Sequence, residues 1–279
     1  MKGDKRTLLG IYKIKSHFKS GMFSTLLNVK KLEAKKGKKI IVKIMDTIDD
    51  DLSKLAAEKL KKIRHKNIVK VKGVHKDKEK IYVVMNKFRG ISLELYRQTK
   101  MTSENIYPRF YKIFNQIINA VEYLNNKGIF HNNLRPDNIL IDKNLKVKII
   151  DFCSVVYIKK KKNEKIKFQN KKLYVLSEKI VRRKIICSLL GNIYNQKTFY
   201  IPILDINGVV LLIYFYFEGK SPYCSGITGR KCLNNINGKF QKMKKLENIQ
   251  ITKTVNKVLK NKSPLQSIKD LKKSLGKKY

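Results

Sequence analysis

The segment from His131 to Phe152 constrains this chain more than any other part of its sequence. It reads HNNLRPDNILIDKNLKVKIIDF, a polar loop with a proline followed by apolar runs at residues 139–141 and 147–150. Short apolar runs that are bounded by turn-forming residues are typical of buried strands. The segment therefore predicts a loop and then a pair of short strands, with Asp151 directly after the second strand.

Two motifs in this segment resemble the catalytic core of the eukaryotic protein kinase family. In that family, His-Arg-Asp-Leu-x-x-x-Asn provides a catalytic Asp and a metal ligand, and Asp-Phe-Gly provides another metal ligand. This chain has HNNLRPDN at residues 131–138 and DFC at residues 151–153. The resemblance implies that Asn138 and Asp151 bind metal ions. Asn133 stands at the catalytic position and carries an amide in place of a carboxylate.

The resemblance implies an α+β fold of two lobes, which together form a single protein kinase-like domain. Residues 1–86 are expected to form a small, mainly β N-lobe with one αC helix, and residues 87–279 a larger, mainly α C-lobe. Apolar residues at helical or alternating spacing predict the helix Asp50–Arg64, the strand Ile81–Met85 and the helix Tyr107–Lys127.

A further run, Asp205 to Tyr223, resembles the family's helix that supports the catalytic loop. By this resemblance Asp205 should accept hydrogen bonds from the backbone of residues 131–133. The apolar centre of the run, Val209 to Phe217, is too short to cross a membrane and predicts a buried helix.

The resemblance also implies a nucleotide site. Lys43 takes the place of the Lys that anchors the phosphates. Ile41 takes the place of a small Ala beside the adenine, where three extra carbons would crowd the base. The glycine-rich loop keeps only Gly21, and Lys19 and Ser24 replace glycines whose backbone amides approach phosphate closely. Both a phosphate loop and an ordinary β-hairpin turn fit this run. The other residues assigned to the cofactor site by the resemblance are Leu26, Met85 and Leu140.

The departures from the family pattern concentrate in the chemistry. Positions that maintain the fold are retained, whereas those for nucleotide cradling, proton transfer and activation are replaced. Residues 158–173 contain no Ser, Thr or Tyr to accept an activating phosphate, and Asn132 replaces the Arg that would bind it. The replaced positions are Lys19, Ser24, Ile41, Ala56, Asn132, Asn133 and Lys171.

This distribution predicts a pseudokinase, a regulatory or scaffolding module that binds a protein partner and has lost efficient catalysis. The alternative is a divergent, weakly active Ser/Thr protein kinase with a protein substrate, because phosphoryl transfer depends mostly on positioning and metal electrostatics. In that case Arg135, which replaces the family's catalytic-loop Lys, would contact the transferring phosphate. The cofactors that the resemblance implies are ATP and Mg²⁺.

The charge of the chain opens a third hypothesis. Its 64 Lys and Arg residues against 21 Asp and Glu residues give a net charge of +43. Such a charge attracts polyanions, as in a basic nucleic-acid-associated protein on a kinase scaffold. Only nine of the basic residues are Arg, whose planar fork specific phosphate and base recognition favours. A genome rich in Lys, Asn and Ile codons also accounts for this composition. We therefore expect non-specific polyanion binding and no specific nucleic-acid recognition.

Features that direct proteins to membranes or secretion are not found in the sequence. No run reaches the roughly 18 apolar residues of a membrane-spanning helix. The start, MKGDKRTLLGIYKIK, lacks the apolar core of a signal peptide. The four cysteines show neither metal-ligand spacing nor a disulfide pattern. These features predict an intracellular protein, cytoplasmic or nuclear, with no membrane association.

Overall fold

The computed structural model divides the chain into two compact units, Met1–Arg89 and Gly90–Tyr279. The sequence-based lobe boundary lies between residues 86 and 87. The residues that the structure describes are 7–21, 24–33, 39–46, 59–77, 79–152, 155–157, 202–220, 222, 242–244, 246–260, 265 and 267–276.

The first unit contains a six-stranded antiparallel sheet. Its strands are β1 Thr7–Leu8, β2 Tyr12–Gly21, β3 Ser24–Lys31, β4 Ile40–Asp46, β5 Val71–Lys76 and β6 Lys80–Asn86. Their order across the sheet is β1-β2-β3-β4-β6-β5, so that each of the first four strands lies beside its neighbour in sequence. The strand predicted at 81–85 is β6, and Lys43 lies in β4.

One face of this sheet forms the core of the first unit. Side chains alternate between the two faces of a strand, and the residues on one face here are apolar. Val42 and Val84 are fully buried. The buried cluster consists of Tyr12, Leu27, Val29, Ile40, Val42, Tyr82 and Val84. The residues between them in sequence therefore lie on the opposite face, which we call the open face.

The helix predicted at 50–64 is only partly within the described chain. Residues 59–61 are helical, and Leu60 and Ile63 are buried, as the predicted apolar face requires. Ala56, one of the replaced positions, lies outside the described residues.

The second unit is mainly helical. Its helices are α1 Leu93–Lys100, α2 Ile106–Asn126, α3 Pro202–Glu218, α4 Ile249–Leu259 and α5 Ile268–Leu275. The helix predicted at 107–127 is α2, and all six residues of its apolar stripe are buried: Phe110, Ile113, Ile117, Ile118, Val121 and Leu124. The buried helix predicted at 209–217 is the centre of α3.

Short strands hold the polar loop of the second unit. They are β7 Ile91–Ser92, β8 Ile129–Phe130, β9 Ile139–Ile141, β10 Val147–Ile149 and β11 Val156–Tyr157. One sheet has the order β10-β9-β7, and β8 pairs with β11. The strand pair predicted after the loop is therefore β9 and β10, and a 3₁₀ turn at Pro136–Asn138 leads into it.

Other sequence-based expectations meet the structure only in part. In the described part of the chain, no helix is long and apolar enough to cross a membrane. Cys153 and residues 158–201, with the replaced position Lys171, lie outside the described residues.

Candidate functional site

The open face of the first unit carries the residues assigned to the nucleotide. In the register of the sheet, Asn28 lies opposite Ile41, and Ile41 lies opposite Met85. In the next row Leu26 lies opposite Lys43. Four predicted site residues, Leu26, Ile41, Lys43 and Met85, thus share one face and lie in two neighbouring rows. This follows from the antiparallel register, because directly paired residues point to the same side.

Burial differs among these side chains. Lys43 is only 7% exposed and Met85 8%, whereas Ile41 and Leu26 are partly exposed. Ile41 is therefore a partly exposed apolar residue beside a buried lysine. Its position fits contact with a flat apolar ligand, and its branched side chain fills space that Ala would leave open.

The glycine-poor loop connects two paired strands. Strands β2 and β3 pair as far as Gly21 opposite Ser24, with register irregularities between Ile14 and Ser16 and between His17 and Lys19. Strands β2 and β3 therefore form a β-hairpin, a pairing that both alternatives from sequence share. Residues 22 and 23 lie outside the described chain.

The end of the first unit is fixed to its sheet by backbone hydrogen bonds. The Asn86 amide donates to the Lys70 carbonyl at 3.1 Å, and the Lys87 amide donates to the Lys39 carbonyl at 2.8 Å. For Phe88, the next residue, no backbone hydrogen bond is recorded in the described chain. Among the described residues, nothing recorded occupies its N–H or C=O.

Asp205 of α3 fixes the catalytic loop in the second unit. This fully buried carboxylate accepts hydrogen bonds from the His131 amide at 2.9 Å and the Asn132 amide at 2.8 Å. The side chain of Asn125 donates a third at 2.8 Å. The predicted role of Asp205 is confirmed. The three hydrogen-bond donors stabilise the buried negative charge of Asp205.

His131 connects this loop to the end of β10. Its ring Nε2 lies 3.0 Å from the Ile150 carbonyl, and the Asn133 amide donates to its Nδ1 at 3.2 Å. These partners fix the neutral tautomer with the proton on Nε2, because a carbonyl needs a donor and an amide N–H needs an acceptor. The ring also makes an edge contact with Phe152, with centroids 4.8 Å apart.

Asn133 and Asn138 are joined within the loop. The Asn138 side chain donates from Nδ2 to the Asn133 carbonyl at 2.8 Å. Asn138 is buried, and its carbonyl accepts from the Ile150 amide at 2.9 Å. The backbone at the catalytic position is therefore fixed, whereas the Nδ2 of Asn133 is buried with no hydrogen-bond partner among the described residues.

Asn132 is the most poorly satisfied side chain of the loop. Both its Oδ1 and its Nδ2 are buried without a partner in the part of the chain that the structure describes. Its φ is +54°, in the left-handed region that Asn tolerates better than most residues. The hydrogen bond from its backbone amide to Asp205 and the αL conformation thus hold an uncharged side-chain amide where the family has a phosphate-binding Arg.

Asp151 also has left-handed backbone geometry, with φ +66°. It follows Ile150, whose amide and carbonyl are both bound to the catalytic loop. The carboxylate is partly exposed. A positive φ at a non-glycine residue is uncommon and tends to occur where surrounding structure imposes it.

Arg135 pairs with a neighbour inside the loop. Its guanidinium forms an ion pair and hydrogen bond with Asp137. The two side chains are 55% and 32% exposed, so that water screens the pair and leaves it weak. The guanidinium of Arg135 is therefore paired with Asp137. Arg135 itself lies three residues before the predicted metal ligand Asn138.

Leu140 lies on one face of the small sheet between two polar residues. Lys148 of β10 and Ser92 of β7 are its direct partners across the strands. Burial lowers the pKa of Lys148, and the neighbouring Lys146 ammonium lowers it further. Leu140 itself is partly exposed, as an apolar surface for a ligand must be.

Three contributors could not be read from sequence. Asn125 looks like an ordinary polar residue at the end of a helix, and nothing marks it as a partner of Asp205. The pattern of side chains in the sequence does not indicate a role for the backbone of Phe88. Asp137 stands in the motif, but its spacing from Arg135 across a proline does not by itself indicate that the two side chains pair.

Comparison with known proteins bears directly on this arrangement. The family model for the protein kinase domain matches residues 12–278. CBL-interacting protein kinase 1 of Oryza sativa subsp. japonica is 30% identical over 154 residues, which cover 53% of this chain and 32% of that protein. The sperm motility kinase Tcr mutant form of Mus musculus is 30% identical over 164 residues, covering 59% of this chain and 30% of that protein. The chain therefore matches about a third of the length of these relatives.

A solved structure shows the same fold. The crystal structure of Rad53 1-466 in complex with AMP-PNP has a TM-score of 0.64 and 21% sequence identity, covering 95% of this chain and 64% of that one. This likeness confirms the expected α+β kinase fold with a β-rich and a helical lobe. Because the family model also matches nearly the whole sequence, the chain belongs to the protein kinase family.

Proposed function

We propose that this member of the family is a pseudokinase, a regulatory or scaffolding module that binds a protein partner and has lost efficient phosphoryl transfer. The observation that carries the proposal is Asn133, an amide where the family has its catalytic carboxylate. An amide orients a hydroxyl but does not take its proton, and a positioned acid–base group contributes about 10²–10⁴-fold. The loop around Asn133 keeps its anchoring hydrogen bonds, which supports a loss of chemistry without a loss of fold.

Magnesium is part of the proposal, because the donors available suit a hard cation. Asp151 offers carboxylate oxygens and Asn138 an amide oxygen, both of which Mg²⁺ prefers. The Nδ2 of Asn138 is engaged by the Asn133 carbonyl at 2.8 Å, so its oxygen is the atom left for a metal. Held by these two residues, a Mg²⁺ ion would supply positive charge to offset that of a bound phosphate group.

ATP is the nucleotide that we propose as a ligand of the first unit. The ammonium group of Lys43 would pair with its phosphates, and Leu26 and Met85 would offer apolar surface to the base. The N–H and C=O of Phe88 suit the polar edge of a purine. Ile41 would reduce the space for that base. The complex of the Rad53 neighbour with AMP-PNP supports the choice of an adenine nucleotide.

Nucleotide binding is tested by thermal unfolding with Mg²⁺ and ATP, with ATP alone and with Mg²⁺ alone. A ligand at about 100 times its Kd adds about 2.7 kcal/mol to the free energy of unfolding. We expect a rise in Tm that needs both metal and nucleotide and that is lost in Asp151→Ala. No rise at millimolar ATP would remove the nucleotide from the proposal and leave a nucleotide-free scaffold.

Loss of catalysis is tested by transfer of labelled γ-phosphate from ATP to a library of Ser- and Thr-containing peptides. We expect incorporation no greater than that of the Asp151→Ala variant. Robust, metal-dependent incorporation that Asp151→Ala abolishes would refute the pseudokinase proposal.

A weakly active Ser/Thr kinase is the second candidate, and the anchored Asn138 favours it. A metal ligand held in place is of use to an enzyme as well as to a nucleotide switch. If the site is otherwise primed, Asn133→Asp should raise phosphate transfer by orders of magnitude. Asn133→Ala is the matched control, because it removes the amide without adding a base. Equal activity in both variants would rule against this candidate.

A further inference from the structure

Several lysines lie close together on the outer part of the open face of the first unit. Lys13 of β2 lies directly opposite Lys30 of β3, and both are exposed. Ile40 of β4 pairs with Val29 of β3. Continuing this register by one residue places the exposed Lys39 beside Lys30. We call Lys13, Lys30 and Lys39 the basic row.

Among the described residues, the basic row has no recorded acidic partner. No ion pair or hydrogen bond of these three ammonium groups is recorded in the described chain. The nearest pair of this kind, Lys31 with Glu33 at 3.7 Å, involves a residue on the opposite face of β3. Like charges directly opposite on adjacent strands destabilise a sheet. The arrangement therefore costs stability unless an anion compensates it.

A polar network lies next to the row and extends its positive charge. The Lys87 ammonium donates to Asn28 Oδ1 at 2.8 Å, and Asn28 Nδ2 donates to Ser16 Oγ at 2.9 Å. Asn28 is two residues from Lys30 on the same face. The network holds Lys87 over the sheet, where its charge adds to that of the basic row.

We propose that the basic row is a docking site for an acidic segment of a protein partner. Neighbouring strands lie about 4.8 Å apart, so the row spans about 10 Å. An extended chain covers that length with about three or four residues. A short run of Asp and Glu side chains crossing the strands would neutralise all three ammonium groups.

The row fits a polypeptide better than a nucleic acid. Its cations are all Lys, which lacks the planar fork that binds phosphate and base edges in pairs. Single-stranded nucleic acids also stack their bases on aromatic side chains. The described side chains of the neighbouring rows, Ser16, Leu26, Asn28, Ile41, Met85 and Val83, include no aromatic ring.

This inference deepens the proposed function by naming the chemistry of the protein partner, and so rests on that function. Its test does not depend on nucleotide or catalysis. Phosphate transfer by the wild-type chain would refute the pseudokinase without affecting the docking site. Conversely, failure of docking leaves the results of the transfer and melting assays unchanged.

The test measures binding of a fluorescein-labelled deca-glutamate peptide by anisotropy at low salt. The variant is K13E/K30E, and the control is K253E/K257E, which reverses an exposed like-charge pair on α4. Both variants change the net charge equally. We expect the basic-row variant to lower the affinity about 10-fold or more and the control to lower it less than about 3-fold. Equal losses in the two variants would overturn the proposal.

Stability provides a second readout that a mere solvated surface would not produce. In the single variant K30E, an attractive Lys13–Glu pair replaces the repulsion, and Tm should rise by about 1–3 °C while peptide affinity falls. In K13E/K30E the repulsion returns, and Tm should fall back toward that of the wild type. A K30E variant with unchanged Tm would contradict the claim that the row stores repulsion.

A poly-uridine strand of equal charge decides the class of partner. We expect its affinity to change by the same factor in the basic-row and control variants, since its attraction is spread over the whole basic surface. If the RNA loses more affinity than the peptide in K13E/K30E, the row is a nucleic-acid site and the proposal is wrong.

Discussion

The catalytic loop of the second unit and the open face of the first unit have diverged in opposite ways. In the loop, buried Asp205 and His131 still hold the backbone through hydrogen bonds between 2.8 and 3.2 Å. On the open face, the strand register persists but Ile41 and unbalanced lysines occupy it. Contacts that the fold itself needs are kept, whereas side chains that only a ligand would need are free to change.

The largest loss of stability is expected for Asp205→Ala, which removes the anchor of the catalytic loop. The change leaves the amides of His131 and Asn132 and the side chain of Asn125 as buried donors without their acceptor. We expect a loss of about 3–5 kcal/mol in the free energy of unfolding, measured by urea denaturation. Asp205→Asn is the control, and it should lose less because one acceptor oxygen remains. A loss below about 1 kcal/mol in Asp205→Ala would show that the loop does not depend on this anchor.

Asn133→Asp tests whether the loop still has room for a carboxylate. One carboxylate oxygen would occupy the position of Nδ2, which is buried without a hydrogen-bond partner among the described residues. We expect a loss of about 1–3 kcal/mol in thermal or urea unfolding, because a charged oxygen without a donor is poorly tolerated. Unchanged stability would mean that the loop supplies a donor and is better prepared for catalysis than its present side chains indicate.

Ile41→Ala tests whether the side chain at this position of the open face limits nucleotide binding. Removing three carbons from a partly exposed position should open space for a base beside Lys43. We expect ATP with Mg²⁺ to bind about 10-fold more tightly, a gain of about 1.4 kcal/mol, as measured by titration calorimetry. Ile44→Ala, which lies on the core side of the same strand, is the control and should leave the Kd unchanged. A weaker affinity in Ile41→Ala would show that Ile41 supports the nucleotide instead of crowding it.

The smallest effect concerns a pair at the far end of β6. The Tyr82 hydroxyl donates to Asp77 at 2.7 Å, and this bond, with those from the Glu79 and Lys80 amides, lowers the pKa of Asp77. A lowered carboxyl pKa contributes stability that is present above its usual range and is lost as the pH falls through the lowered value. Tyr82→Phe should therefore lower Tm slightly at neutral pH, and the difference should disappear in acid. A difference that persists in acid would assign the effect to packing in the core.

Elements with a strong periodic pattern could be predicted from the sequence. The stripe of α2 and the apolar centre of α3 are buried as predicted, because a helix of this length has only one way to bury such a face. The position of Asp205 against the loop was also predictable, since the resemblance gave both partners.

Other features depend on contacts that no local pattern encodes. The short strand β1 has only two residues, too few for an alternating pattern to appear. Asn125 reaches Asp205 across 80 positions of sequence, and Lys87 reaches Asn28 across 59. These pairs form because the fold brings distant segments together. The lack of a partner for the side-chain amide of Asn132 among the described residues depends likewise on its surroundings and not on its own identity.

The anchoring of the loop by Asp205 has a consequence for the evolutionary history of the chain. Codons for Asn and Asp differ in a single base, so one transition at position 133 would place a carboxylate on a backbone that Asp205 still anchors. In a lineage with this architecture, such a mutation would put the family's catalytic residue into an anchored loop only while Asp205 is maintained. Loss of Asp205 would be the step that makes the change at Asn133 permanent.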